Sequence, residues 1–109
     1  MTDPDVVFAT SDGSESRLLA VTGEIDLAVA RRFAEELNGL VDEASATGLV
    51  DLSGVTFIDS SGVRELLGAM RNAEAKGGRL VLLNPSAQSR RVLEVSGVWE
   101  EFAVQEAPK

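Results

Sequence analysis

Two short apolar runs lie near the start of the chain, with a polar stretch between them. Residues 6–9 and 18–21 are apolar, whereas residues 11–16 are Ser, Asp, Gly and Glu. Asp12 and Gly13 supply the positive φ that a tight turn needs, so the pattern predicts a β-hairpin. The strand pattern breaks at residues 23–26, where Asp26 is placed to cap a helix by accepting hydrogen bonds from its first-turn amides.

Three later segments have the period of an amphipathic helix. Their apolar positions recur at i, i+3, i+4 and i+7, with charged residues between them. Capping residues precede these segments and glycines follow them, as helix termini prefer. The predicted helices follow Asp26 and end at Gly48, begin near Ser60 and end at Gly77-Gly78, and begin at Asn84-Pro85 and end at Gly97. Their predicted core residues include Ala30, Phe33, Ala34, Leu37, Val41, Ala44, Val63, Leu66, Leu67, Met70 and Ala73.

Short apolar runs alternate with these helices. Residues 49–52 form one, residues 57–58 continue it after Ser53-Gly54, and residues 80–83 and 102–104 form two more. Strands joined by long helices pair in parallel through right-handed crossovers. The order β-β-α-β-α-β-α-β therefore predicts a single α/β domain over residues 1–109, with a mixed, mostly parallel sheet, flanking helices and short frayed termini.

Charge and composition narrow the possible functions. Ten basic and 18 acidic residues give a net charge of −8, which disfavours binding to nucleic acids and to anionic membranes. The chain contains neither cysteine nor histidine, so thiolate catalysis, the commonest metal ligands and the usual neutral-pH base are missing. We expect a cytoplasmic, non-catalytic protein with no cofactor and no metal site.

One segment, residues 50–63, places chemistry-bearing side chains at the end of a buried strand. It leads into a predicted helix N-terminus at Asp59, Ser60, Ser61 and Gly62, where Gly62 adds no side chain that would hinder an approaching partner. Loops after the carboxyl ends of parallel strands commonly carry sites. A phosphoryl group on one of the serines would be stabilised by free helix amides. The plainer interpretation is that Asp59 or Ser60 is only a helix cap, and spacing alone favours it.

A resemblance adds to this pattern. Gly-Glu-Ile-Asp at residues 23–26, Asp-Leu-Ser-Gly-Val-Thr-Phe-Ile-Asp-Ser-Ser-Gly at residues 51–62 and Asn-Pro-Ser at residues 84–86 occur in that order. Together they resemble the bacterial anti-sigma factor antagonists, the small form of the sulfate transporter and anti-sigma antagonist (STAS) domain. The similarity covers about residues 6–104.

That resemblance implies a phosphorylation-controlled switch between partners. An unphosphorylated antagonist of this family binds an anti-sigma factor, which releases its sigma factor. The anti-sigma factor is a serine kinase that uses ATP and magnesium, and the matching acceptor here is Ser61. A metal-dependent serine phosphatase reverses the reaction. Asp59, Ser60 and Gly62 match the motif around the acceptor, and Glu24 with Asp26 is expected to complete the docking surface. We expect a monomer until docking.

Other functions are less well supported by the sequence. Asp26, Asp51 and Asp59 could lie near one another at the strand ends as in a two-acid hydrolase, but nothing sets the required separation. The serines lack the sequence contexts of serine hydrolases. Phe57 is expected in the core beneath the serine loop. The alternative from another class is an accessory subunit of a membrane lipid ABC transporter, in which the same domain need not be phosphorylated.

Overall fold

Five strands and three helices follow the predicted order. The computed structural model describes residues 6–12, 16–42 and 47–106. The elements are β1 (Val6–Asp12), β2 (Ser16–Ile25), α1 (Leu27–Asp42), β3 (Thr47–Ile58), α2 (Ser60–Ala75), β4 (Arg79–Leu83), α3 (Ala87–Val95), a 3-10 turn (Trp99–Glu101) and β5 (Ala103–Gln105). The predicted turn at Gly13 and the predicted core residue Ala44 lie outside the described residues.

The strands form one sheet in the order β1-β2-β3-β4-β5. β1 and β2 pair antiparallel as the predicted hairpin, and the three remaining neighbouring pairs are parallel. Each parallel pair is joined by a helical connection, because two parallel strands cannot be linked by a tight turn. The predicted α/β domain with a mixed, mostly parallel sheet is thereby confirmed.

The strand pattern continues further than the sequence indicated. β2 does not break at Gly23 but runs to Ile25, and residues 47–58 form one strand, β3, rather than two short pieces. The β2–β3 register shifts between Ala20 and Thr22 and again between Gly23 and Glu24. Gly23 has a φ of 109°, which accommodates the second irregularity and lets the pairing continue. Pairing with a neighbouring strand has therefore overridden the local break in pattern.

Two predicted helix boundaries are wrong. α1 ends at Asp42 rather than at Gly48, which lies in β3 and pairs with Leu80. At the start of α3 the cap is Ser86 rather than Asn84, because the Ser86 hydroxyl accepts a hydrogen bond from the Ser89 backbone N–H at 3.1 Å. The predicted glycine terminators of α2 and α3 are present, since Gly77 and Gly97 have positive φ values just after those helices.

The core lies between the sheet and helices α1 and α2, which contact each other. Most of the predicted helical core is confirmed, whereas Ala34 and Leu67 are only half-buried. The fully buried large side chains are Val6, Leu19, Val21, Ile25, Phe33, Leu37, Val50, Leu52, Ile58, Leu66, Leu82 and Leu93. α3 packs against β3. This arrangement fixes the ends of β2 and β3 side by side.

Candidate functional site

The site is built where two parallel strands end next to each other. Ile25, the last residue of β2, is aligned with Ile58, the last residue of β3. The Asp59 backbone N–H donates to the Ile25 carbonyl oxygen at 3.1 Å, which ties the two strand ends together. α1 begins at Leu27 and α2 begins at Ser60, so the N-termini of both helices converge at this edge of the sheet.

Asp59 caps the start of α2. Its carboxylate accepts hydrogen bonds from the Ser61 backbone N–H at 2.9 Å, from the Gly62 N–H at 3.4 Å and from the Ser61 hydroxyl. The hydrogen bond from the Ser61 hydroxyl is the largest of the effects that lower the pKa of Asp59 below its ordinary value. The backbone N–H groups of Gly62, Ser61 and Leu27 lower this pKa further. Burial acts in the opposite direction but is outweighed. The side chain is therefore a firmly ionised cap.

Asp26 caps the neighbouring helix, α1. Its Oδ1 atom accepts a hydrogen bond from the Val29 backbone N–H at 3.3 Å, so the predicted cap of α1 is confirmed. Glu24 is exposed near the end of β2, where it is aligned with Phe57 of β3. The structure thus brings the Glu24–Asp26 segment alongside the Asp59–Ser61 turn, as the family resemblance implied.

The two serines occupy different environments. Ser60 is exposed, whereas Ser61 is half-buried and its hydroxyl donates to the Asp59 carboxylate. Ser61 is therefore the serine whose oxygen has a fixed position in this turn. A phosphoryl group on that oxygen would lie at the positive end of α2 but would also lie against the Asp59 carboxylate.

Gly62 has a different role from the expected one. The sequence suggested that the missing side chain leaves room for an approaching partner, but Gly62 is buried. A Cβ atom there would lie 2.8 Å from Ile25 Cγ2 and 2.8 Å from Ile58 Cγ1. Glycine is needed so that the first turn of α2 can pack directly on the strand ends. Gly62 therefore allows the serine turn to pack closely against Ile25 and Ile58.

Two large apolar side chains are exposed beside the turn. Phe57 is 46% exposed, so the prediction that it lies in the core is wrong. It stands near the end of β3, next to the exposed Glu24. Leu27 is 77% exposed at the first position of α1 and was not singled out from the sequence. The sequence feature that could have indicated this exposure is a large apolar residue directly after the Asp26 cap, beyond the end of β2.

Asp51 does not join this site. It lies within β3, aligned with Ala20 and Leu83, and its carboxylate accepts a hydrogen bond from the Ser53 backbone N–H at 2.9 Å. Among residues 6–12, 16–42 and 47–106, no group of three or more acidic side chains could hold a metal ion. No helix in that part of the chain is long and apolar enough to cross a membrane.

The sequence is similar to a known domain family and to known proteins. A family model described as "Mlab, STAS domain" matches residues 8–104. The chain is 35% identical over 95 residues to the anti-sigma F factor antagonist of Lysinibacillus sphaericus, a match that covers 84% of this chain and 81% of that protein.

Solved structures of one antagonist are similar to this chain in two chemical forms. The unphosphorylated anti-sigma factor antagonist SpoIIAA superposes with a TM-score of 0.77 at 28% identity, covering 94% of this chain and 90% of the other. The phosphorylated form of the Bacillus protein SpoIIAA superposes with a TM-score of 0.72 at 28% identity, covering 94% and 93%. The same fold therefore carries both forms of that relative.

Proposed function

Because this chain belongs to the STAS domain family and is an anti-sigma factor antagonist, we propose that it works as a phosphorylation-controlled switch. In its unphosphorylated form it binds an anti-sigma factor that is also a serine kinase, and this binding frees a sigma factor for transcription. The kinase inactivates the antagonist by phosphorylating Ser61, and a metal-dependent serine phosphatase restores it. The reaction consumes ATP, so we place this exchange in the cytoplasm.

The observation that carries this proposal is the contact between Ser61 and Asp59. The Ser61 hydroxyl donates to a carboxylate whose pKa is lowered by that same contact. Phosphorylation replaces the hydroxyl proton with a group carrying about −1.5 to −2 charges. An attractive hydrogen bond then becomes a repulsion between two anions, although the helix N-terminus and its amides offset part of it. The modification therefore changes the local charge and shape of this turn.

A change confined to this turn is sufficient to control binding. A charged group of this size within a docked surface must be desolvated, and like charges brought together across an interface cost several kcal/mol. Each ~1.4 kcal/mol is a tenfold change in affinity. Rearrangement of the whole domain is unnecessary, and the similarity of this chain to both forms of SpoIIAA supports a local switch.

The neighbouring residues have distinct roles in this proposal. Asp59 orients the Ser61 oxygen and caps α2, and the exposed Ser60 faces the partner. Glu24 and Asp26 extend the docking surface from the next strand end. Gly62 supports the turn by allowing α2 to pack on Ile25 and Ile58. The antagonist itself needs no cofactor, because ATP and magnesium belong to the kinase.

Intact-mass measurement tests this function directly. Each serine-kinase anti-sigma factor of the source organism is purified and incubated with ATP, magnesium and the antagonist. We expect the wild-type protein and the matched control Ser60→Ala to gain one phosphate, and Ser61→Ala to gain none. Phosphate on Ser61→Ala would refute the assignment of the acceptor. No phosphorylation by any kinase, together with co-purification with a transporter ATPase, would favour the accessory-subunit alternative.

A further inference from the structure

Leu27 is the most exposed large apolar side chain beside the proposed switch. Within the described part of the chain, four large apolar residues are strongly exposed: Val7, Leu27, Phe57 and Val95. Leu27 is 77% exposed and follows Ile25 by two residues, and the Ile25 carbonyl oxygen accepts a hydrogen bond from the Asp59 backbone N–H at 3.1 Å. Phe57 precedes Asp59 by two residues. Both apolar residues therefore lie near the paired ends of β2 and β3, where the serine turn begins.

The fold does not require an apolar side chain at Leu27. Ala30, one turn later in α1, is buried, as is Ile25 at the end of β2. Leu27 lies between them in sequence, yet its side chain is largely exposed. A polar residue in this first helical turn would cost the fold little, since capping here comes from the Asp26 side chain. Burial against another molecule would give this side chain a favourable environment.

The other side chains of this surface are polar or acidic. Glu24 is exposed, Asp26 and Asp59 are half-exposed, and Ser60 is exposed. Charged groups at the rim of an interface contribute mainly to specificity and association rate. The energetic centre of a protein interface is instead a few large side chains in well-packed pockets. At this end of the domain, Leu27 and Phe57 are the side chains with that chemistry.

We propose that Leu27 is the apolar anchor of the docking surface and enters an apolar pocket of the anti-sigma factor, with Phe57 as a flanking contact. This inference rests on the proposed function, because it assigns the chemistry of that partner's surface. The Asp59 backbone N–H donates to the Ile25 carbonyl oxygen at 3.1 Å, and Leu27 follows Ile25 by two residues, so the anchor and the switch serine lie on adjacent, hydrogen-bonded strand ends. A phosphate on Ser61 would therefore place charge next to the strand end that carries the anchor.

Two variants of equal side-chain length test the anchor. Leu27→Gln replaces the apolar side chain with a polar one, whereas Leu27→Met keeps it apolar, and both residues form helices well. Affinity for the purified anti-sigma factor kinase is measured by titration calorimetry. We expect the Kd of Leu27→Gln to rise at least about tenfold, because its apolar contact is lost. The Kd of Leu27→Met should stay within about threefold of wild type.

A kinetic measurement separates anchoring from catalysis and from folding. Leu27→Gln should raise the KM for the antagonist as a kinase substrate and leave kcat unchanged, because the Leu27 side chain does not touch the Ser61 oxygen. Thermal unfolding should be unaltered, because the replaced side chain is 77% exposed. If the kinase binds wild type and Leu27→Gln equally, the anchor is refuted while the proposed function stands. If no host kinase binds the wild-type protein, the proposed function and the anchor both fail.

Discussion

At the scale of single residues, the contacts of Asp59 determine the charge and geometry of the serine turn. The Asp59 carboxylate caps α2 and accepts a hydrogen bond from the Ser61 hydroxyl. These contacts stabilise its ionised form and hold the serine in one position. A residue that is an ordinary helix cap by sequence therefore also sets the charge and geometry around the serine that we propose is phosphorylated.

The lowered pKa of Asp59 makes a prediction about pH. A carboxyl whose pKa is lower in the folded state contributes stability above its unfolded-state pKa of about 3.9, and that contribution is lost as the pH falls through the folded value. Asp59→Asn keeps a capping side chain but cannot ionise. The stability advantage of wild type over Asp59→Asn should therefore shrink from about pH 5 to about pH 3. Urea unfolding across this range measures it, and a constant difference would contradict the prediction.

The sequence singled out the polar residues of the serine turn but not the exposed apolar residues beside it. Asp59, Ser60 and Ser61 are polar residues at a helix start, a pattern that spacing and resemblance both reveal. Leu27 and Phe57 are apolar, and hydrophobic patterns assign such residues to the core by default. Their exposure of 77% and 46% follows from where the sheet ends, which depends on the pairing of β2 with β3. Gly62 was expected to leave room for a partner, but a side chain there would instead meet two buried isoleucines.

At the scale of elements, the order was predictable and the boundaries were less so. Helical period and capping residues gave all three helices, because these features are local in sequence. The full length of β3 was missed because its second half pairs with β2 across an irregular register, which is a long-range effect. The sequence suggested that Gly48 ends α1, but Gly48 lies in β3. A Cβ atom there would lie 3.2 Å from Leu40 Cγ.

The first turn of α2 gives a prediction about packing. Gly62→Ala places a methyl group 2.8 Å from Ile25 Cγ2, so we expect a loss of about 1–3 kcal/mol in unfolding free energy. Gly68→Ala in the same helix is the matched control. A Cβ there meets nothing within 4 Å, and alanine should stabilise the helix by up to about 1 kcal/mol. Chemical denaturation measures both variants, and equal effects would refute the packing role of Gly62.

At the scale of the whole molecule, the sheet order places the candidate site at one end of the domain. Adjacent parallel strands β2 and β3 end together, and the helices that follow them begin there. A net charge of −8 is spread over the chain, so one phosphate changes the total modestly. In the proposed switch, the phosphate acts through its position on Ser61, whose hydroxyl contacts the Asp59 carboxylate. The proposed switch therefore needs only a stable domain in which the charge of one surface changes.

The most direct test compares the affinities of the two forms of the protein. Unphosphorylated and Ser61-phosphorylated antagonist are titrated separately into the anti-sigma factor kinase loaded with ADP. We expect phosphorylation to weaken binding by at least about 100-fold, equivalent to about 2.8 kcal/mol. Circular dichroism of the two forms should show the same folded domain. Equal affinity of the two forms would contradict a switch at Ser61.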